Sequence, residues 1–202
     1  MVQLAIKECA NLPDAQHAEV WRLCRRMISP LTKGLDDDSF TRLPHGRPVL
    51  RSGEVCFSVS HSQNAVCCAV VCDRPRFSPR ADEDILLLSF SCPENFDVGV
   101  DIELIRPIDL EMRQKIARRF FSLRERKYVN DDIERFFEIY TAKESLCKLS
   151  GLGLSGFASA DSFAKALTRH SRIVVFGGRR FAISVALAPA TDKVPACREH
   201  MA

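Results

Sequence analysis

Residues 98–104, "VGVDIEL", read as a β-strand with carboxylates at alternating positions, and no other stretch limits the chain as much. Successive strand side chains point to opposite faces, so Val100, Ile102 and Leu104 share one face and Asp101 and Glu103 the other. The apolar face needs a core. The acidic face has two outcomes: it lies at a solvated sheet edge, or it holds two mutually repelling, partly desolvated carboxylates that a cation relieves. These residues alone leave both open.

At 202 residues, 46% of them hydrophobic, the chain can bury a substantial core as one domain or as two small subdomains sharing one, which excludes disorder. Lys plus Arg number 29 against 26 Asp plus Glu, and the net charge of +3 is too mild to mark a nucleic-acid binder. The longest apolar run, "AVCCAVVC" at 65–72, falls far short of the ~20 residues of a membrane-spanning helix. "MVQLAIKECANLPDAQ" lacks the basic start and long apolar core of a secretory signal. A cytoplasmic protein with no membrane or nucleic-acid partner is expected. The 9 cysteines, an odd number without a CxxC pair, read as buried free thiols in a reducing compartment.

Residues 14–28 space Ala18, Trp21, Leu23 and Ile28 as an amphipathic helix that Pro30 ends, and 32–54, rich in Gly, Pro and Asp, reads as a long loop. "VCFSVSHSQNAVCCAVVC" (55–72) predicts two strands joined at the polar "HSQN", 73–84 a charged loop, and 85–90 a further strand. Helices are expected over 108–120, where Leu110, Ile116, Ala117 and Phe120 keep register, after the capping box Ser122–Glu125, and over 131–151, which Gly151 can close. "RIVVF" and "RRFAISVALA" form a final strand pair across Gly177-Gly178, followed by a frayed tail from Pro189. A strand pair in each half hints at duplication.

On the helix 131–151, Glu144 and Lys148 stand one turn apart, with Lys143 adjacent. Such a pair contributes only ~0.2–0.5 kcal/mol and is common on surfaces. Here it adjoins Phe136, Phe137 and Tyr140 and precedes "GLGL", so the helix can deliver a third carboxylate to a site at its C-terminal end. "HGRPVLRSGEVCFSVSHS" adds Arg47, Ser60, His61 and Ser62, whose charge and hydroxyls suit phosphate oxygens, although a lone histidine in a turn more often serves structure than function.

"GRP", "FSVSHS", "VGVDIE" and "YTAKESLCKLSGLGL", in that order and spacing over residues 46–154, resemble the signature of the 4'-phosphopantetheinyl transferases of the surfactin-synthetase-activating type. "FFSLRE" (120–125) looks like the family's segment between its two acidic motifs. The resemblance implies an α/β (α+β) fold of two similar small subdomains in pseudo-twofold arrangement: 1–97, with coenzyme A-binding segments and an insertion at 73–97, and 98–190, with the magnesium motifs, before a 191–202 tail. It implies transfer of the phosphopantetheine arm of coenzyme A to a serine of an apo acyl or peptidyl carrier protein, the holo-acyl-carrier-protein synthase reaction of fatty acid, polyketide or nonribosomal peptide synthesis, with release of adenosine 3',5'-bisphosphate.

By the same resemblance, Asp101, Glu103 and Glu144 hold Mg2+, Glu144 also acts as base, and Lys148 stabilises the leaving phosphate. Arg47, Ser60, His61, Lys143 and Lys148 bind coenzyme A. Residues 113–127, with Arg113, Lys115, Arg118, Arg119, Arg124, Arg126 and Lys127 against Glu125, form either a basic surface for an acidic carrier or an ordinary solvated helix face. The expected enzyme is a monomer. Departures are a short stretch before Gly46 that lacks the family's arginine-rich helical motif, with "WRLCRRM" at best a remnant, and the 73–97 insertion. A non-catalytic relative and an unrelated Mg2+-dependent phosphohydrolase are the rival readings.

Overall fold

A computed structural model describes residues 1–81, 83–93, 95–163 and 168–190, and those residues fold as a mixed α+β protein. Strand β1 (Val2–Glu8) lies between β5 (Ala65–Val71) and β6 (Ile85–Phe90), and β4 (Phe57–Ser62) completes an antiparallel sheet of order β4-β5-β1-β6. A second sheet, β7-β9-β8, is built from β7 (Phe96–Leu104), β8 (Thr168–Phe176) and β9 (Arg179–Pro189). The β8–β9 hairpin turns through Gly177 and Gly178 at φ 54° and 69°, the left-handed pair that a two-residue turn of this kind requires.

The sheets pack face to face. Val2, Leu4 and Ile6 of β1, Ala65, Cys67 and Ala69 of β5, Val98, Val100 and Ile102 of β7, and Phe181, Ile183, Val185 and Leu187 of β9 fill the space between them. β5 is buried on both faces, because Val66, Cys68 and Val70 meet α1 (Pro13–Ile28) on the other side, which is why its sequence is continuously apolar rather than alternating. The face of α1 that packs is Val20, Leu23, Cys24, Met27 and Ile28; Ala18 is exposed.

On the outer face of the second sheet lie α2 (Leu110–Phe120), α3 (Leu123–Val129) and α4 (Ile133–Ser150). α4 crosses close to β7 and β9 because small residues face it. An added Cβ on Gly99 would stand 2.1 Å from the Ser145 carbonyl oxygen, and Ser184 lets Thr141 Oγ1 approach within 3.0 Å. The capping box at Ser122 and Glu125 starts α3, Asp132 caps α4, and Gly151 ends α4 in the left-handed region at φ 70°.

Three expectations are corrected. The stretch 32–54 is not an uninterrupted loop: β2 (Phe40–Arg42) and β3 (Pro48–Leu50) pair as a hairpin, which tertiary packing of Phe40 against Trp21 and Phe57 stabilises. Leu110 is 44% exposed, so the inward face of α2 centres on Ala117 instead. The chain is also paired through Pro189, whose neighbour Ala190 donates its N–H to the Asn95 carbonyl, while 191–202 lie outside the described residues. β6, within the expected insertion, is the edge strand beside β1. Cys9, Cys24, Cys67, Cys68, Cys72, Cys92 and Cys147 are free thiols, and no helix among the described residues is long and apolar enough to cross a membrane.

Candidate active site

The free edge of β7 meets the face of β4 rather than another strand's edge. Alternation in "FSVSHS" turns Phe57 and Val59 toward α1 and leaves Ser58, Ser60 and Ser62 facing β7. The hydroxyls of Ser58 and Ser62 take over the work of a pairing strand. Ser58 Oγ accepts from the Val100 N–H at 3.0 Å and Ser62 Oγ from the Leu104 N–H at 3.1 Å, while Ser60 Oγ donates to Asp101 Oδ1 at 2.7 Å and Ser62 Oγ to Glu103 Oε2 at 2.8 Å. The serine ladder thereby holds both carboxylates on the side of the sheet that α4 covers.

α4 brings the rest. Lys148 donates to Asp101 Oδ1 at 2.7 Å and to Ser60 Oγ at 2.6 Å. Ligand oxygens of Asp101, Glu103 and Glu144 all lie within 4.8 Å of one another. Burial, then Asp101 and Glu103, push the Glu144 carboxyl up to about 7 against the pull of Lys148, and burial and Asp101 raise Glu103 as well. Burial depresses the Lys148 ammonium, but Asp101 and Glu144 outweigh it and leave Lys148 more firmly protonated than usual. His61, lowered by burial and by Lys148, is biased to its neutral form.

Three crowded carboxylates, of which Glu103 and Glu144 have raised proton affinity, suit a hard, oxygen-seeking divalent ion. Asp101 Oδ2 is sealed from solvent with no hydrogen-bond partner, an acceptor left over that such an ion would use. The residues therefore fit a magnesium-type cation.

The cluster forms one wall of a cleft of about 460 Å3. Ser60, His61 and Lys148 line it together with Arg47, but Arg47 spends its Nη donors on the fold: Asp97 Oδ1 and the Leu149 carbonyl at 2.6 Å each, and the Val98 carbonyl at 3.2 Å. Lys143 is not in the cleft at all. It is 1% exposed and ion-paired at 3.2 Å with Glu125, itself 0% exposed, whose carboxylate also accepts from the Ser122 and Ser162 N–H groups. The expected phosphate ligand is a buried tie between α3, α4 and the 160–162 segment; neighbours on a helix point about 100° apart, so Lys143 could not share the face of Glu144.

The opposite wall holds residues that the motifs do not single out: His17 and Trp21 of α1, and Arg42 and His45 of the β2–β3 hairpin. Trp21 Nε1 donates to His17 Nε2 at 3.1 Å and the Arg42 guanidinium lies 5.7 Å over the Trp21 ring. His17 and Trp21, one helical turn apart beside the buried stripe of α1, were the available signal. On the basic stretch, Lys115, Arg118, Arg119, Arg124 and Lys127 are exposed, while Arg113 and Arg126 are half-buried between the helices.

The family model of the 4'-phosphopantetheinyl transferase superfamily matches residues 97–196. The chain is 29% identical over 161 residues to "4'-phosphopantetheinyl transferase gsp" of Aneurinibacillus migulanus, covering 75% of this chain and 55% of that protein. It is 28% identical over 145 residues to "4'-phosphopantetheinyl transferase Sfp" of Bacillus subtilis (strain 168), covering 69% and 52%. Over 83 residues it is 37% identical to "4'-phosphopantetheinyl transferase ffp" of Bacillus subtilis, covering 39% and 34%. The first two alignments thus span about half the length of the curated relatives they match.

Proposed function

The chain belongs to the 4'-phosphopantetheinyl transferase superfamily, and from that premise we propose that it moves the phosphopantetheine arm of coenzyme A onto a serine of an apo acyl or peptidyl carrier protein, releasing adenosine 3',5'-bisphosphate. The observation that carries the proposal is the convergence of Asp101, Glu103, Glu144 and Lys148 in one cleft. We assign it holo-acyl-carrier-protein synthase chemistry in the cytoplasm, on carriers of fatty acid, polyketide or nonribosomal peptide synthesis, by a monomer. The reading includes two similar subdomains, 1–97 and 98–190, in pseudo-twofold relation.

In this mechanism Asp101, Glu103 and Glu144 hold Mg2+, which would supply positive charge against the pyrophosphate oxygens of coenzyme A. The carrier serine oxygen forms a bond to the phosphorus on the pantetheine side, and the P–O bond to the adenosine bisphosphate breaks. Glu144 takes the serine proton, directly or through water. Lys148, held protonated by Asp101 and Glu144, faces the leaving phosphate. Ser60 orients Asp101 and Lys148 by its hydrogen bonds to both, and neutral His61 offers a donor at the cleft wall. Since Arg47 is committed to Asp97 and to two carbonyls, its contribution to coenzyme A binding comes chiefly from fixing β7 against α4.

The outward face of α2 and α3 suits an acidic carrier. Lys115, Arg119, Arg124 and Lys127 stand beside Met112 and Leu123, exposed by 50% and 70%, a mixture of charge for steering and apolar area for contact. The test is the intact mass of purified apo carrier proteins after incubation with the protein, coenzyme A and Mg2+. A mass gain equal to phosphopantetheine, lost with Glu144→Ala, is the expected result; no gain on any carrier with a folded protein overturns the proposal.

A further inference from the structure

A second pocket, of about 230 Å3, opens between α2, α3 and the start of α4. Arg113, Arg118 and Arg126 line it, with Asn130, Asp131 and Phe136. It is separate from the cleft: no residue lines both, and Phe136 precedes Glu144 by eight residues, about 12 Å along the helix.

Three guanidinium groups line the pocket against one lining carboxylate, Asp131, with Asp132 near enough to interact with Arg113. The lining carboxylate is occupied, since Asp131 Oδ1 accepts from Gln114 Nε2 at 3.0 Å, and Arg113 binds only carbonyls, Asp131 at 2.7 Å and Ile108 at 3.2 Å. Among the described residues no ion pair involves Arg113, Arg118 or Arg126. Arg126 Nε is also sealed from solvent without an acceptor, a costly state for a donor on a charged group. One wall is set by the end of α3: Asn130 closes the helix as its left-handed cap at φ 41°, and Asp131 follows at φ 61°, which turns the chain back toward α2.

We infer that this pocket binds a small tetrahedral oxyanion of the phosphate class, held by Arg113 and Arg118 and completed by an acceptor for Arg126 Nε. Guanidinium forks match phosphate oxygens in geometry as well as charge. A free ion fits better than a protein carboxylate, because Arg113, Gln114 and Ala117 lie on the inward face of α2, opposite Met112, Lys115 and Arg119, and only Arg118 at the pocket's mouth is exposed. A bound oxyanion ties α2 to the α3–α4 corner and so stiffens the element whose outer face is the proposed docking surface. That last link rests on the function proposed above; the binding does not.

Hydrogen exchange followed by mass spectrometry, on the full chain with inorganic phosphate or with chloride at equal ionic strength and without coenzyme A, Mg2+ or carrier, tests the inference. At a phosphate concentration ten times Kd, openings of 110–131 that release the ion are expected to be about 11-fold rarer, with exchange slowed accordingly. Arg118→Ala, at an exposed position, should weaken phosphate binding about tenfold or more, and Arg126→Leu should abolish the effect. Protection confined to β4 and the C-terminal half of α4, equal protection in chloride, or full protection in Arg118→Ala would each overturn it. Because no transfer is measured, failure of the transferase reading would leave this result untouched.

Discussion

Glu144→Gln keeps the shape of the side chain and removes its charge from the most crowded acidic cluster in the fold. Burial, Asp101 and Glu103 raise this carboxyl from 4.5 to about 7. The difference, roughly 2.5 at 1.36 kcal/mol each, means that ionised Glu144 costs the metal-free fold about 3 kcal/mol at pH 8. Between pH 4.5 and 7 the folded carboxyl retains a proton that the unfolded one has lost, so metal-free wild type loses stability as pH rises through that window. The amide does not titrate. In urea unfolding with EDTA, the variant should therefore be more stable than wild type by about 1–3 kcal/mol at pH 8 and by under about 1 kcal/mol at pH 5. Added Mg2+ should reverse the order, stabilising wild type more than the variant. A variant no more stable than wild type at pH 8, or an advantage independent of pH, refutes the electrostatic reasoning.

Lys143→Met leaves Glu125 buried and unpaired and should cost about 3–5 kcal/mol in denaturant unfolding, while the folded fraction binds coenzyme A and Mg2+ with unchanged affinity in calorimetry; a large loss of affinity would return Lys143 to the cleft. Gly99→Ala forces α4 off β7, since its Cβ would stand 2.1 Å from the Ser145 carbonyl oxygen and 2.7 Å from the Leu149 nitrogen. It should lower stability by about 1–3 kcal/mol or more and weaken Mg2+ binding, and a neutral effect on both would contradict the packing. Arg47→Met removes the cation that faces the buried Asp97 carboxylate, leaving it the Val98 N–H at 2.9 Å, and should cost about 3 kcal/mol of stability. Reduced coenzyme A affinity at full stability would instead make Arg47 a direct ligand.

The parts of the site that the sequence made legible are those set by local periodicity. Asp101 and Glu103 share a face because strand side chains alternate, Glu144 and Lys148 share one because a helix turns in 3.6 residues, and the caps at Ser122, Asp132 and Gly151 obey backbone hydrogen-bonding rules. Lys143 belongs to the same motif as Glu144 but lies about 100° round the helix from it, on the side where Glu125 is buried. The β2–β3 hairpin was hidden because its strands are three residues each and gain their stability from Trp21 and Phe57, far off in sequence. β1 did leave a trace, the alternation of Val2, Leu4 and Ile6, in a stretch too short to stand out from its polar neighbours. Serine as a substitute for strand pairing has no local signature, because whether Ser58, Ser60 and Ser62 face water or β7 depends on where the second sheet docks.

The most direct test of the central claim, that these carboxylates serve transfer rather than hydrolysis, is to quantify adenosine 3',5'-bisphosphate and carrier mass in the same reaction, with and without apo carrier. Equal amounts of nucleotide and holo carrier, with neither formed when carrier or Mg2+ is omitted, are predicted. Nucleotide or phosphate released from coenzyme A without any carrier would contradict the account and favour a phosphohydrolase built on the same residues.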